Sequence, residues 1–164
     1  MAASVRFVDA LTVLTRHHVR FVVVGGVAAV LGGAPVSTFD LDIVHARDPD
    51  NVAALSAALL DLDARYRDPS GRVLRPEARG LAGPGHHLLA TTAGPLDVLG
   101  EIVGGATFAT LLPRSERIEL DGMAIHILGL AALIESKALL NRDKDRASLA
   151  ILRRTLAERE RGGG

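Results

Sequence analysis

Phe21-Val22-Val23-Val24-Gly25-Gly26, followed at residues 38–44 by Thr38-Phe39-Asp40-Leu41-Asp42-Ile43-Val44, is the passage whose reading decides the fold. Its first four residues are an unbroken apolar run, three of them β-branched, which predicts a strand buried on both faces. Gly25-Gly26 ends that run. Residues 27–31 predict a short helix before Gly32, Gly33 and Pro35 break the chain. Residues 38–44 alternate, which predicts a second strand with Phe39, Leu41 and Ile43 on one face and Asp40 and Asp42 on the other. Carboxylates at positions i and i+2 of a strand point the same way, about 6–7 Å apart. They repel each other and resist burial without a counter-charge, which a divalent cation supplies. A glycine corner without side chains lets backbone N–H groups come close to phosphate oxygens at a helix N-terminus. A glycine pair alone is also a plain tight turn, and an Asp-x-Asp pair alone is also an exposed strand face. The order buried strand, Gly-Gly, short helix, acidic strand is what points to a site.

Outward from this passage, apolar spacings of four and three predict a helix over residues 5–18. Residues 49–62 predict another, with Asp48 as its cap and Pro49 in the first turn. Residues 65–85 are polar and contain Pro69, Pro76 and Pro84, which predicts a short strand among loops. Strands are expected at 86–92 and 96–99. The latter carries Asp97, an acid on an otherwise apolar strand and the candidate third carboxylate. Glu101 is its rival, placed past the strand end. A short helix at 108–112 precedes a hairpin of residues 118–120 and 123–128 around Asp121-Gly122. Two closing helices follow, at 130–141 and 143–159. The order places the chain in the α+β or mixed α/β class.

The chain has 164 residues, 48% of them hydrophobic but only 3% aromatic. It fits one domain with an aliphatic core and few platforms for stacking bases. The net charge is zero, so no global attraction for nucleic acid exists. The Arg- and Lys-rich stretch 142–161 also contains acids and suits a solvated helix face. There is no cysteine, which excludes disulfides, thiolate nucleophiles and cysteine-bound zinc. That composition fits a cytoplasmic protein. Arg6 and Asp9 interrupt the N-terminus, so no signal peptide is expected, and no apolar stretch is long enough to span a membrane. The pairs His17-His18 and His86-His87 are adjacent in sequence, and strand neighbours face opposite ways, so they predict no zinc site. No dinucleotide or P-loop glycine fingerprint occurs, and Ser37 and Ser56 have no partner histidine for a hydrolytic triad.

The string Val24-Gly25-Gly26 … Thr38-Phe39-Asp40-Leu41-Asp42-Ile43 resembles the nucleotidyltransferase superfamily. Leu96-Asp97-Val98-Leu99-Gly100-Glu101, Ile125-His126-Ile127-Leu128, and Leu133-Ile134-Glu135-Ser136-Lys137 leading to Asn141-Arg142-Asp143-Lys144-Asp145 are similar to minimal nucleotidyltransferases and to the nucleotidyltransferase toxins of abortive-infection systems. The likeness runs from residue 21 to residue 152. It implies a small mixed sheet flanked by helices; the length suits a single domain over residues 1–161, and residues 162–164 are expected to form a disordered tail. The likeness also implies that Asp40, Asp42 and Asp97 bind Mg²⁺ or Mn²⁺ and carry the catalysis. Gly25, Gly26, Ser37, Thr38 and Lys137 are then expected to bind a nucleoside triphosphate, with Arg142 and Asp145 in support. The implied reaction moves a nucleoside monophosphate from the triphosphate to an acceptor hydroxyl of RNA, tRNA or protein. A toxin–antitoxin role with a cognate antitoxin partner is the implied setting. Many relatives have an arginine four residues before the first acid; Val36 stands there in this chain. That departure supports the alternative of a weakly active or inactive binding partner with the same fold.

Overall fold

The computed structural model describes residues 2–162. Helix α1 (Ala2–Arg16) opens the chain, and His18, in the left-handed conformation, turns it into β1. Strand β1 (Phe21–Val24) is buried at every position, as its β-branched run predicts. Helix α2 (Gly25–Leu31) starts at the first glycine rather than after the pair. Strand β2 (Leu41–His45) starts three residues later than the alternation suggests. Its ladder explains the difference. Val24, the last residue of β1, pairs with Asp42, and Leu41 pairs across the other edge with Leu96. Residues 38–40 pair with neither neighbour, since β1 has ended and Pro95, next in register before Leu96, has no N–H to donate; Phe39, expected beside Leu41, is 77% exposed.

Helix α3 (Pro49–Asp61) has Pro49 in its first turn, but the Asp48 side chain does not cap it. That carboxylate accepts a bond of 2.6 Å from Arg20 Nη2 instead. Buried Asn51 ties the elements together here: its Oδ1 accepts from the Arg20 backbone N–H at 2.7 Å and its Nδ2 donates to the Ala46 carbonyl at 2.7 Å. The polar stretch 65–85 holds a two-residue strand β3 (Arg65–Tyr66) and an unexpected one-turn helix α4 (Ala78–Leu81). Strands β4 (His86–Thr91) and β5 (Gly94–Leu99) form a hairpin. A small separate hairpin of β6 (Glu101–Ile102) and β7 (Ala106–Thr107) leads into α5 (Phe108–Leu111). Strands β8 (Ser115–Leu120) and β9 (Met123–Leu128) make the expected hairpin, with β8 starting earlier than the sequence suggests. Helices α6 (Leu130–Leu140) and α7 (Asp143–Gly162) close the chain, joined at Asn141 in the left-handed conformation. Gly162 thus belongs to α7; the rest of the expected tail lies outside the described residues.

The main sheet has the order β3-β4-β5-β2-β1-β9-β8. Pairing is parallel between β2 and β5 and between β1 and β9, and antiparallel elsewhere. This is the mixed α/β architecture expected from the order of elements. Leu41, Ile43 and His45 share one face of β2, because side chains alternate along a strand. On that face α1 packs on β5 and α3, and α3 packs on α4. Two buried histidines anchor α4: Nε2–H of His45 donates to the Leu81 carbonyl at 2.7 Å, and Nε2–H of His87 to that of Gly80 at 3.2 Å. Tyr66 donates its hydroxyl to Nδ1 of His87 at 2.6 Å. The opposite face carries Asp42 and Asp97, and the α6–α7 pair supplies the far wall of the cavity in front of it. No described helix is long and apolar enough to cross a membrane.

Candidate active site

Asp42 and Asp97 are 55 positions apart in the chain, yet they are direct Cα partners on the parallel strands β2 and β5. In-register neighbours project to the same face, so the carboxyl groups meet within hydrogen-bonding reach of each other. Asp42 Oδ1 is buried and finds no donor. Burial foremost, then the bond to Asp97 and the charges of Asp97 and Asp40, push the Asp42 carboxyl up to about 8, against a smaller lowering by Arg67. A carboxyl in that state holds its proton at neutral pH.

Gly25 is shaped by this acid. It has φ +67, and a Cβ there would lie 2.3 Å from Asp42 Oδ2. A side chain at that position would therefore both strain the backbone and displace the carboxylate. Gly26 is shaped by Thr38, whose Oγ1 would lie 2.5 Å from a Cβ on Gly26. The two glycines let the chain fold back on residues 38–42 and keep the carboxylate against the half-buried backbone of the corner.

Before these residues opens a cavity of about 460 Å³. One part of its wall is Gly25, Gly26 and Asp42; another is Lys137, Arg142, Lys144 and Asp145 from the α6–α7 corner. Apolar side chains such as Ile102, Val103 and Leu140 line the rest. Asp145 is 1% exposed. It accepts from Arg142 Nε at 2.5 Å and Nη2 at 3.2 Å, and Lys137 Nζ stands 3.6 Å away. The Arg142 hydrogen bond is the main reason its carboxyl is held below the usual range. Asp145 is thus a buried counter-ion that fixes two cations at the cavity wall.

The expected residues are not all gathered in one place. Asp42 and Asp97 meet. Asp40 lies before β2; its charge is felt at Asp42, but it lines a separate small cleft with Thr38 and Phe39. Among the described residues, no three His, Asp or Glu side chains converge as metal ligands. Thr38 Oγ1 donates to the Asp40 carbonyl at 3.3 Å, and Ser37 is exposed on the same loop, in neither the cavity nor the cleft. Val36 packs partly buried against the core. Glu101 is in β6, where its side chain stands 4.0 Å from Arg47. Two residues escaped the sequence reading. Arg67 Nη2 donates to Asp97 Oδ1 at 2.6 Å. His86 lines the cavity while its Nε2–H donates to the Glu101 carbonyl at 2.7 Å. Both interactions depend on long-range pairing, and no local spacing announces them.

The donor set fits a hard divalent cation: two adjoining carboxylates, one with an unsatisfied buried oxygen, beside a glycine corner that leaves room for that carboxylate. No family model matches the sequence, and no curated protein does. Among solved structures, the chain is similar to a protein of Thermotoga maritima described as a "putative nucleotidyltransferase". The TM-score is 0.55 at 18% identity, over 93% of this chain and 94% of that one. The two proteins share a fold.

Proposed function

We propose that this protein is a divalent-cation-dependent nucleotidyltransferase that moves a nucleoside monophosphate from a nucleoside triphosphate to an acceptor hydroxyl. The observation that carries the proposal is the in-register meeting of Asp42 and Asp97 beside Gly25, at a cavity whose other wall holds Lys137 and Arg142. The shared fold supports it. Asp42 and Asp97 would hold Mg²⁺ or Mn²⁺, with the nearby charge of Asp40 adding to the attraction. Such an ion supplies Lewis-acid polarisation of a phosphate and neutralises charge on the leaving pyrophosphate.

The chain's own residues do the rest. Gly25 leaves room for the Asp42 carboxylate at the cavity wall, and Gly26 leaves room for Thr38. Lys137, held by Asp145, places a positive charge where a triphosphate needs one. The apolar stretch of the cavity offers a dry wall to the base and sugar. An acceptor hydroxyl must lose a proton as it attacks, and the Asp42–Asp97 pair, once ionised, is the nearest base. We extend the proposal to RNA or protein acceptors, and to a toxin–antitoxin setting in which a partner protein restrains the activity.

The purified protein is incubated with each labelled triphosphate, Mg²⁺ or Mn²⁺, and total RNA or total protein as acceptor. Transfer is expected from at least one triphosphate, with loss of more than about 100-fold in Asp42→Asn. Gly25→Ala is expected to lose it as well, through displacement of the Asp42 carboxylate. Transfer that persists in Asp42→Asn overturns the mechanism. Val36, in place of an arginine, favours a second reading: a binding partner that keeps the site but not the turnover. Cation and nucleotide binding without transfer under any condition selects that reading.

A further inference from the structure

The acid pair already has a cation on it. Arg67 Nη2 lies 2.6 Å from Asp97 Oδ1. Two basic side chains of the cavity wall are engaged elsewhere: Arg142 and Lys137 both face Asp145, at 2.5 Å and 3.6 Å. Among the described residues, Arg67 alone forms an ion pair with either acid of the pair. Its position is built rather than incidental. Arg67 follows β3, and its backbone N–H donates to the Leu88 carbonyl at 3.1 Å. Leu88 is the residue of β4 directly paired with Asp97. The ladder thus delivers the guanidinium to the strand position beside the acid.

We infer that Arg67 is a built-in competitor for the divalent cation, a positioning residue that holds Asp97 when the metal is absent and sets how tightly the Asp42–Asp97 pair takes it. The inference rests on the cation reading above. The charge count supports it. A guanidinium on one of two adjoining carboxylates cancels one negative charge, so an incoming ion meets one fewer negative charge with Arg67 in place than without it. A guanidinium hydrogen bond also uses a lone pair of Asp97 that a metal would take. Exposure supports reversibility: the Arg67 side chain is 34% exposed against 16% for Asp97. The guanidinium can move into water, and the carboxylate stays.

Mn²⁺ binding to the full chain, followed by the electron paramagnetic resonance signal of free Mn²⁺, reads this directly and needs no turnover. Arg67→Gln is expected to bind Mn²⁺ about three- to tenfold more tightly than the parent. Arg47→Gln removes a nearby charge that faces Glu101 rather than the pair, and is expected to stay within about twofold. Equal or weaker binding by Arg67→Gln, or equal tightening by Arg47→Gln, overturns the inference while leaving the cation site standing. No Mn²⁺ binding by the parent chain overturns the cation site itself, and the inference with it. A second measurement uses the unaltered chain. The guanidinium NMR signals of Arg67, assigned by their absence in Arg67→Lys, are expected to shift and sharpen on Mg²⁺ titration as the ion pair opens. Signals unchanged at saturating Mg²⁺ overturn the competition.

Discussion

At the residue scale, Asp42 is a desolvated acid held at a cost in stability. Its carboxyl is pushed up to about 8, chiefly by burial, while in the unfolded chain an aspartate titrates near about 3.9. Between these values the native state keeps a proton that the unfolded state has released, so native stability falls as pH rises through that window and levels off above about 8. Asp42→Asn cannot ionise and removes the slope. In the absence of metal, the variant is expected to melt at a higher temperature than the parent at pH 8, with the gap closing toward pH 4. Thermal unfolding across that range checks it, and a gap that does not depend on pH rejects the buried-acid account. This acid was legible in the sequence because Gly-Gly and Asp-x-Asp are local signals. The placing of Asp40 was not. Alternation alone carried the strand back to Thr38, whereas a strand ends where its ladder ends, here at the Val24–Asp42 and Leu41–Leu96 pairs. Arg67 was equally hidden, as one arginine in a polar stretch without periodicity.

At the element scale, the α6–α7 corner is a device for holding cations at the cavity wall. Asn141 adopts φ 50 and ψ 35, and its N–H closes α6 on the Lys137 carbonyl, so α7 can start with Asp145 facing back. Because Asp145 is held below the usual carboxylate range, its contribution is present above the unfolded value of about 3.9 and is lost as pH falls through the lower native value. Asp145→Asn is expected to cost about 1–2 kcal/mol at pH 7, since half-exposed Arg142 can turn to water and soften the loss. It is also expected to raise the triphosphate KM more than it lowers kcat, because Lys137 loses its anchor. Denaturant melts and steady-state kinetics check the two halves. The helices themselves were legible from their apolar spacing. Helix α4 was not: a single turn has no period to detect, and what holds it is the pair of histidine bonds to its carbonyls. Those histidines come from strands β2 and β4, and adjacency in sequence said only that His86 and His87 face opposite ways.

At the scale of the whole molecule, the site is a property of the assembled sheet. Strand β1 pairs antiparallel with β2 on one side and parallel with β9 on the other. Strand β5 reaches β2 only after the chain has gone through α3, β3, α4 and β4. A cation or triphosphate that binds this arrangement has no counterpart site in the unfolded chain, so binding must raise global stability. Saturation at about 100 times Kd is expected to add about 2.7 kcal/mol. A Tm that rises with Mg²⁺ and one triphosphate, and fails to rise in Asp97→Asn, checks it. The mixed class was legible from the order of elements, whereas the strand order was not, since it is set by pairings far apart in sequence.

The partnership of Asp42 with Asp97 makes the site a late arrival in the life of each molecule. Neither half of the polypeptide can rehearse it, and a nascent chain that has emerged only as far as α3 possesses one acid and no second. The acid pair therefore forms only when the β4–β5 hairpin docks on β2, and the cavity in front of it is walled only once α6 and α7 have followed.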